Sequence, residues 1–227
     1  MKLLPVLASA FLFAASVQAA TPEPAKPAPA FKVNVNYQPV FPAQPTSVPP
    51  GQIEVVDFFW YGCPHCNALE PYLESWERSK PANVVLKRVP AVLQPQWEPA
   101  ARAYYVAEAL GLSAQSHAAI FKAIHGSPQE LPQQAEEGDF QRFFSLKFGV
   151  DPRRFQALWN SPAVEAQLAQ GQVLQQRYDI LSYGVPMLIV NGRWITGAGM
   201  VQSYPQIMQV VDFLLQQEQA ALPASVK

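Results

Sequence analysis

The sequence has 227 residues, 49% of them hydrophobic, and a formal net charge of -1 from 16 Lys and Arg against 17 Asp and Glu. This length allows one large or two small domains. No run of basic residues indicates binding to nucleic acid or to a charged membrane surface, so we expect a near-neutral protein surface.

The amino terminus has the pattern of a secretory signal peptide. Lys2 precedes an apolar run from Leu3 to Val17, and small residues follow around Ala19, so residues 1–19 are predicted to be the signal. The run is short for a membrane span, although an uncleaved anchor is the alternative interpretation. Residues 20–30 are rich in Pro and Ala and are expected to form an extended spacer.

Two cysteines, Cys63 and Cys66, stand where a predicted strand gives way to a predicted helix. The residues from Ile53 to Tyr61 are mostly apolar β-formers, and Gly62 interrupts them. Pro64 suits the first helical position, where its missing N–H costs nothing. The pattern therefore predicts Cys63 at the amino end of a helix.

That position favours a thiolate at Cys63. Unpaired backbone N–H groups and the positive end of the helix dipole stabilise an anion there. His65 adds a donor that is partly cationic near neutral pH. We expect Cys63 to be more acidic than a free cysteine and Cys66 to be the more buried, resolving thiol, so that the pair tends to oxidise other thiols.

Two other interpretations of the cysteine pair are weaker. A structural disulfide is common in exported proteins, but a loop of two residues removes little entropy from the unfolded chain. A metal site would need more ligands, and His117 and His125 lie far along the chain in a predicted helix, where we expect ordinary surface or core residues. We predict no metal.

The rest of the chain predicts an α/β sheet that an all-helical insertion interrupts. Helical patterns with Asp, Ser or Pro at their starts and Gly at their ends fill the middle of the sequence. Asn191-Gly192 is a type I′ turn signal between two short strands. Strands are predicted at Phe31–Tyr37, Ile53–Tyr61, Asn83–Val89, Met187–Val190 and Arg193–Thr196.

Cys63-Pro64-His65-Cys66 after Val55–Phe59, with Gly184–Met187 entering a strand, resembles the DsbA family of periplasmic thiol:disulfide oxidoreductases. The resemblance covers nearly the whole chain after the spacer. It implies a periplasmic protein with a thioredoxin-like domain formed by residues 31–96 and 176–220. An all-helical domain, residues 97–175, would be inserted into it.

The resemblance also implies roles for individual residues. Cys63 would be the nucleophile exposed to substrate, and Cys66 would be its buried partner. Val185-Pro186 would form a cis-proline loop against the disulfide, and the backbone of Val185 would pair with an extended substrate. An ordinary trans proline at the start of a strand is the alternative for Pro186.

Asp57 is an acid within an otherwise apolar strand, so it must be paired, solvated or protonated. Members of the family commonly carry a buried Glu here, near a lysine on the next strand, and the resemblance suggests Lys87 for that lysine. Asp57 could then relay protons to and from Cys66. Alternatively, Asp57 lies at a solvated strand end without a partner.

We therefore predict a monomeric dithiol oxidase that needs no cofactor beyond its Cys63-Cys66 disulfide. Its substrates would be reduced or unfolded secreted proteins, and the resemblance implies reoxidation by a DsbB-type membrane quinone reductase. Two alternatives remain. One is a disulfide isomerase or reductase of the same superfamily, and the other is a non-catalytic, chaperone-like binder of unfolded chains that uses the helical insertion.

Overall fold

Strand β2, Ile53–Phe59, is an inner strand of the sheet, and all seven of its residues are buried. It pairs in parallel with β3, Val84–Pro90, and antiparallel with β4, Met187–Val190. Next to β4 come β5, Trp194–Gly197, and the short β1, Gln38–Pro39. The sheet order is therefore β1-β5-β4-β2-β3, with the hydrophobic strand that precedes the cysteines near its middle.

This computed structural model describes residues 31–126 and 129–222. The predicted signal peptide and spacer, residues 1–30, lie outside them. Within the described ranges, no helix combines the length and apolar character that crossing a membrane requires.

Helices account for most of the remaining chain. The first, α1, Pro64–Ser79, connects the parallel strands β2 and β3. In the described part of the chain between β3 and β4, six α-helices follow, and α8, Tyr204–Ala221, comes after the sheet. The six are α2 Glu98–Leu110, α3 Ser113–Gly126, α4 Glu137–Phe148, α5 Pro152–Trp159, α6 Pro162–Arg177 and α7 Ile180–Tyr183. The predicted α/β fold with a helical insertion is thus observed.

Helix ends follow the local signals in the sequence. Asp151 and Ser161 cap α5 and α6, since each side chain accepts a hydrogen bond from a backbone N–H in the first turn. Gly111 and Gly149 follow α2 and α4 in the left-handed conformation, with φ of 71° and 67°. These signals explain where α5 and α6 begin and where α2 and α4 end.

The hydrophobic core of the described residues occupies both faces of the sheet and continues past the carboxyl end of β2. On one face, Val55 packs with apolar residues of α1 and α8. On the other, Val56 and Phe58 pack with Tyr178 and neighbouring apolar side chains. At the carboxyl end of the strand, Phe59 joins the core of the helical insertion. The insertion is therefore packed directly against the segment that leads to Cys63.

The predicted strand over Phe31–Tyr37 is wrong. The chain turns within this segment, with φ of 61° at Asn34. The aromatic residues at its two ends are buried against Phe213 of α8, whereas Val33 and Val35 are 48% and 58% exposed. The apolar residues do alternate in the sequence, but only the two aromatic rings have a surface to pack against. The strand β1, which pairs with β5, begins after this segment.

The predicted hairpin of β4 and β5 is confirmed. Asn191 and Gly192 both have positive φ, 52° and 65°, as a type I′ turn requires. Glu218 of α8 is buried beneath the turn and accepts hydrogen bonds of 2.7 Å from the side chains of Asn191 and Trp194. The hairpin is therefore fixed to the last helix.

Replacing Gly192 by alanine is expected to lower the free energy of unfolding by about 2 kcal/mol or more. The residue has φ of +65°, and an added Cβ would lie 2.1 Å from the carbonyl oxygen of Gln44. Gly138→Ala in α4 is the matched control, because an added Cβ there meets nothing within 4 Å. Urea unfolding measures both, and equal stabilities of the two variants would contradict the prediction.

Candidate active site

Cys63 is the N-cap residue of α1, and Cys66 lies in the first turn of the helix. The N–H of Cys63 donates to the carbonyl of Trp60 at 3.0 Å, and its carbonyl accepts from the N–H of Asn67 at 3.0 Å. Both cysteines are free thiols. The predicted helix start at Cys63 is confirmed, but the expected exposure of Cys63 is not, since this residue is only 7% exposed.

The environment of Cys63 favours its thiolate and lowers its pKa to about 6. The largest cause is the hydrogen bond from the Cys66 thiol. Burial opposes the shift, while the backbone N–H groups of Cys66 and His65 and the charge of His65 support it. Cys63 is therefore largely ionised at neutral pH.

Cys66 has the opposite environment. Burial is the main reason that its pKa lies well above the ordinary value, and its hydrogen bond to Cys63 acts in the same direction. Cys66 therefore remains a protonated thiol that donates to the Cys63 sulfur. The two cysteines are chemically distinct, with a nucleophile at 63 and a proton-bearing partner at 66.

The two residues between the cysteines serve different purposes. Pro64 occupies the first helical position, as predicted, where no intrahelical N–H is needed. His65 is exposed, and its Nδ1 lies 2.8 Å from the hydroxyl of Tyr204 at the start of α8. This contact fixes the orientation of the His65 ring, whose charge favours the Cys63 thiolate.

The loop before β4 lies against the nucleophile. The Val185-Pro186 peptide bond is cis, as the resemblance implied. Cys63 Sγ lies 3.6 Å from the carbonyl oxygen of Val185, to which it donates a hydrogen bond when it is protonated. The structure thus brings together two segments that lie more than a hundred residues apart in the sequence.

Asp57 is buried beneath the cysteines, with 1% exposure, so the alternative of a solvated strand end is wrong. Its Oδ1 has no hydrogen-bond partner among the described residues. Burial is the main reason that the pKa of Asp57 is raised to about 8, and the charge of Glu70 adds to it, while Arg88 opposes it. The acid also raises the pKa of Cys66.

The expected proximity of Lys87 to Asp57 is wrong. Asp57 is opposite Arg88 in the β2–β3 register, and since side chains alternate along a strand, Lys87 faces the other side of the sheet. Lys87 Nζ donates to the hydroxyl of Ser47 at 3.4 Å. Arg88 is the cation on the cysteine side, 3.3 Å from a carboxylate oxygen of Glu70.

A buried polar network beside the site was not predicted from the sequence. His117 Nε2 lies 3.2 Å from Glu70 Oε1, and His117 Nδ1 lies 2.9 Å from the hydroxyl of Tyr61. His125 also contacts Tyr61, at the backbone carbonyl of Tyr61. The two histidines are therefore not ordinary helix residues. His117 and His125 are each four residues from the buried Phe121, so all three lie on one face of α3. This spacing was the signal in the sequence that could have indicated their place beside the site.

The chemistry of the site resides in two sulfurs. Within residues 31–126 and 129–222, no group of three or more His, Cys, Asp or Glu side chains could hold a metal ion. A thiolate at a helix start, a buried thiol and a neighbouring acid can exchange electrons and protons with a substrate dithiol.

Comparison with known proteins gives consistent matches. The model of the DSBA-like thioredoxin domain family matches residues 54–209. Proteins named thiol:disulfide interchange protein DsbA from Burkholderia cepacia and Azotobacter vinelandii are 37% and 34% identical. These alignments cover 96% and 95% of this chain, and 97% and 96% of the relatives.

Solved structures agree with these relatives. The crystal structure of Pseudomonas aeruginosa DsbA matches with a TM-score of 0.76 and 32% identity, over 84% of this chain and 96% of that one. The oxidoreductase DsbA from Xylella fastidiosa matches with a TM-score of 0.75 and 32% identity, over 82% and 96%.

Proposed function

This chain belongs to the DSBA-like thioredoxin domain family, and from that premise we propose that it is an exported dithiol oxidase in which Cys63 is the nucleophile and Cys66 is the resolving thiol. The predicted thioredoxin-like fold and the thiol:disulfide oxidoreductase activity are confirmed by these relatives. The roles of individual residues rest on the geometry of the site.

The observation that carries the proposal is the difference between the two thiols. The pKa of Cys63 is lowered to about 6, so its sulfur is stabilised as a thiolate. This stabilises the reduced form of the cysteine pair relative to its disulfide. A disulfide whose reduced form is stabilised gives up its bond readily. The pair is therefore expected to pass its disulfide to other proteins.

The reaction then proceeds in two exchanges. A substrate thiolate attacks the sulfur of Cys63, the bond to Cys66 breaks, and Cys66 leaves with the electron pair and takes up a proton, as its raised pKa favours. A second substrate thiolate attacks the substrate sulfur of the mixed disulfide. Cys63 leaves as a thiolate, and two electrons have passed from the substrate to the cysteine pair.

Asp57 is suited to provide the proton that Cys66 needs. Its pKa of about 8 keeps the buried carboxyl protonated at neutral pH, and it interacts electrostatically with Cys66. We assign it the role of proton donor during reduction of the pair and of acceptor during reoxidation. Lys87 has no part in this role, because it lies on the other face of the sheet.

The loop of Val185 and Pro186 is the proposed substrate-binding element. The carbonyl of Val185 lies beside the sulfur that a substrate must reach. Backbone pairing there would hold an extended segment without regard to its sequence, as suits many different clients. We propose reduced or unfolded secreted proteins as substrates, a DsbB-type membrane quinone reductase as the reoxidant, and a monomer in the periplasm.

The experiment that tests the function is the reduction potential of the cysteine pair. Equilibrated with mixtures of reduced and oxidised glutathione, the protein should be reduced while glutathione itself remains substantially oxidised. A potential more reducing than that of glutathione would contradict the oxidase and favour the reductase or isomerase alternative. Binding of unfolded peptide without any disulfide transfer would favour the chaperone-like alternative.

A further inference from the structure

The four-residue turn that leads to the nucleophile is held by side chains of the helical insertion. The turn closes with the hydrogen bond from the N–H of Cys63 to the carbonyl of Trp60. Its two central carbonyls belong to Tyr61 and Gly62. These carbonyls lie before α1 begins at residue 64, so the helix does not fix their direction.

Each of the two central carbonyls instead has one donor from the insertion. His125 Nε2 lies 2.8 Å from the carbonyl oxygen of Tyr61, and Gln133 Nε2 donates to the carbonyl oxygen of Gly62 at 2.7 Å. Because a carbonyl is only an acceptor, His125 must carry its proton on Nε2 in this contact. Two consecutive peptide groups are thus fixed by one residue in the last turn of α3 and one residue in the connection between α3 and α4.

The side chains of the turn leave little freedom of their own. Tyr61 is 1% exposed, and its hydroxyl forms a hydrogen bond with His117. The ring of Tyr61 packs against that of Phe121, with 5.0 Å between the centroids. A Cβ added at Gly62 would lie 2.3 Å from the ring of Trp60. The turn is therefore enclosed, and its remaining freedom is rotation of its peptide planes.

The orientation of these peptide planes bears directly on Cys63. The carbonyl of Gly62 belongs to the same peptide group as the N–H of Cys63, so a rotation of that plane would displace the Cys63 backbone. The thiolate depends on reaching the N–H groups of His65 and Cys66, which are fixed by the helix. A small displacement of Cys63 would therefore weaken these contacts.

We propose that His125 and Gln133 are positioning residues of the redox site, which hold the Tyr61-Gly62 carbonyls and thereby place the Cys63 sulfur against the helix start. This inference rests on the proposed function and adds to it. It assigns the helical insertion a role in tuning the nucleophile. The hydrogen bonds given for these two residues end on the carbonyls of Tyr61 and Gly62, so their action passes through the turn.

The test is the pH dependence of Cys63 alkylation by iodoacetamide in the fully reduced protein. The wild-type rate should rise with a midpoint of about 6. His125→Leu and Gln133→Leu should each move the midpoint upward, and the double variant by about one pH unit, a roughly tenfold loss of thiolate below the midpoint. The His125→Gln variant should recover the wild-type midpoint, because a glutamine N–H can replace Nε2–H.

Two features of the design separate positioning from other effects. Glutamine is neutral, so recovery in His125→Gln distinguishes the hydrogen bond from the charge of a nearby histidine. Gln133 is exposed, so its replacement is compatible with folding even if replacement of His125 is not. Gln134 is also exposed, and Gln134→Leu is the matched control, which should keep the wild-type midpoint. Folding of each variant is checked by circular dichroism.

The outcomes distinguish this inference from the proposed function. Unshifted midpoints in folded Gln133→Leu and His125→Leu, with a low wild-type midpoint, would overturn the positioning role and leave the oxidase proposal intact. A wild-type midpoint at the pH of an ordinary free thiol would overturn both. An upward shift in the two leucine variants, with recovery in His125→Gln, supports the proposal.

Discussion

Replacing Cys63 by serine is expected to abolish disulfide donation to a reduced protein substrate, and so is replacing Cys66. Each variant lacks the second sulfur of the pair, so no disulfide can be passed on. Refolding of a reduced substrate protein, with free thiols counted over time, measures the loss. This assay shows that the pair is the redox centre, but it does not assign the two roles within it.

Reaction with oxidised glutathione assigns those roles. In Cys66→Ser, the remaining Cys63 thiolate should attack the glutathione disulfide and form a mixed disulfide, which mass spectrometry detects. In Cys63→Ser, the remaining Cys66 is 3% exposed and its burial raises its pKa, so little of it is thiolate at neutral pH and it should react much more slowly. Comparable rates in the two variants would contradict the assignment of Cys63 as nucleophile.

The sequence was sufficient to predict the parts of the site that local chemistry determines. A β-rich run, a glycine and a proline place Cys63 at a helix start, and each of these signals acts over a few residues. The Asn191-Gly192 turn was predictable for the same reason. The cis peptide before Pro186 was not local information, and only the family resemblance suggested it.

The cation near Asp57 shows what the sequence could not determine. Lys87 and Arg88 are adjacent on β3, and alternation sends one to each face of the sheet. Which of them meets Asp57 depends on the register of β3 against β2, and a slip of one residue would exchange them. The register is fixed by packing across the whole sheet, so a motif at one strand does not reveal it.

The helical insertion was underestimated for a related reason. His117 and His125 have no motif that indicates ligand spacing, and each lies more than fifty residues from the cysteines. Their significance comes from the surface that α3 presents to Tyr61. Residues that act through a third residue carry little signal of their own, so the insertion's contact with the active-site turn emerges only from the fold.

Replacing Asp57 by asparagine is expected to stabilise the reduced protein by about 4 kcal/mol near pH 7. The folded-state pKa of about 8 lies far above the ordinary value of 3.8, so folding at neutral pH must protonate an acid that the unfolded chain leaves ionised. Asparagine has nearly the shape of the protonated acid and binds no proton. The variant therefore avoids this cost, which is the penalty of retaining a buried proton donor beside Cys66.

The pH dependence identifies this mechanism. The cost of Asp57 is absent below about pH 4, where both states are protonated, and grows by about 1.4 kcal/mol per pH unit until the folded-state pKa is reached. Urea unfolding of wild type and variant, both fully reduced, should thus give equal stabilities near the acid limit and curves that diverge as the pH rises. A difference that is independent of pH would show that packing, and not protonation, distinguishes the two side chains.

Glu70→Gln provides the control of opposite sign. Burial acts to raise the pKa of Glu70, but its hydrogen bonds and electrostatic interactions with His117 and Arg88 outweigh burial, so the folded-state pKa lies below the ordinary value. Its ionised form therefore stabilises the fold above that ordinary value, and the contribution is lost as the pH falls through the folded-state pKa. Removing the charge should cost about 3 kcal/mol near pH 7, because Arg88 loses a buried partner. Two buried carboxyls on neighbouring elements should thus respond in opposite directions, because Asp57 has a buried oxygen without a hydrogen-bond partner in the part of the chain that the structure describes, whereas Glu70 contacts both His117 and Arg88.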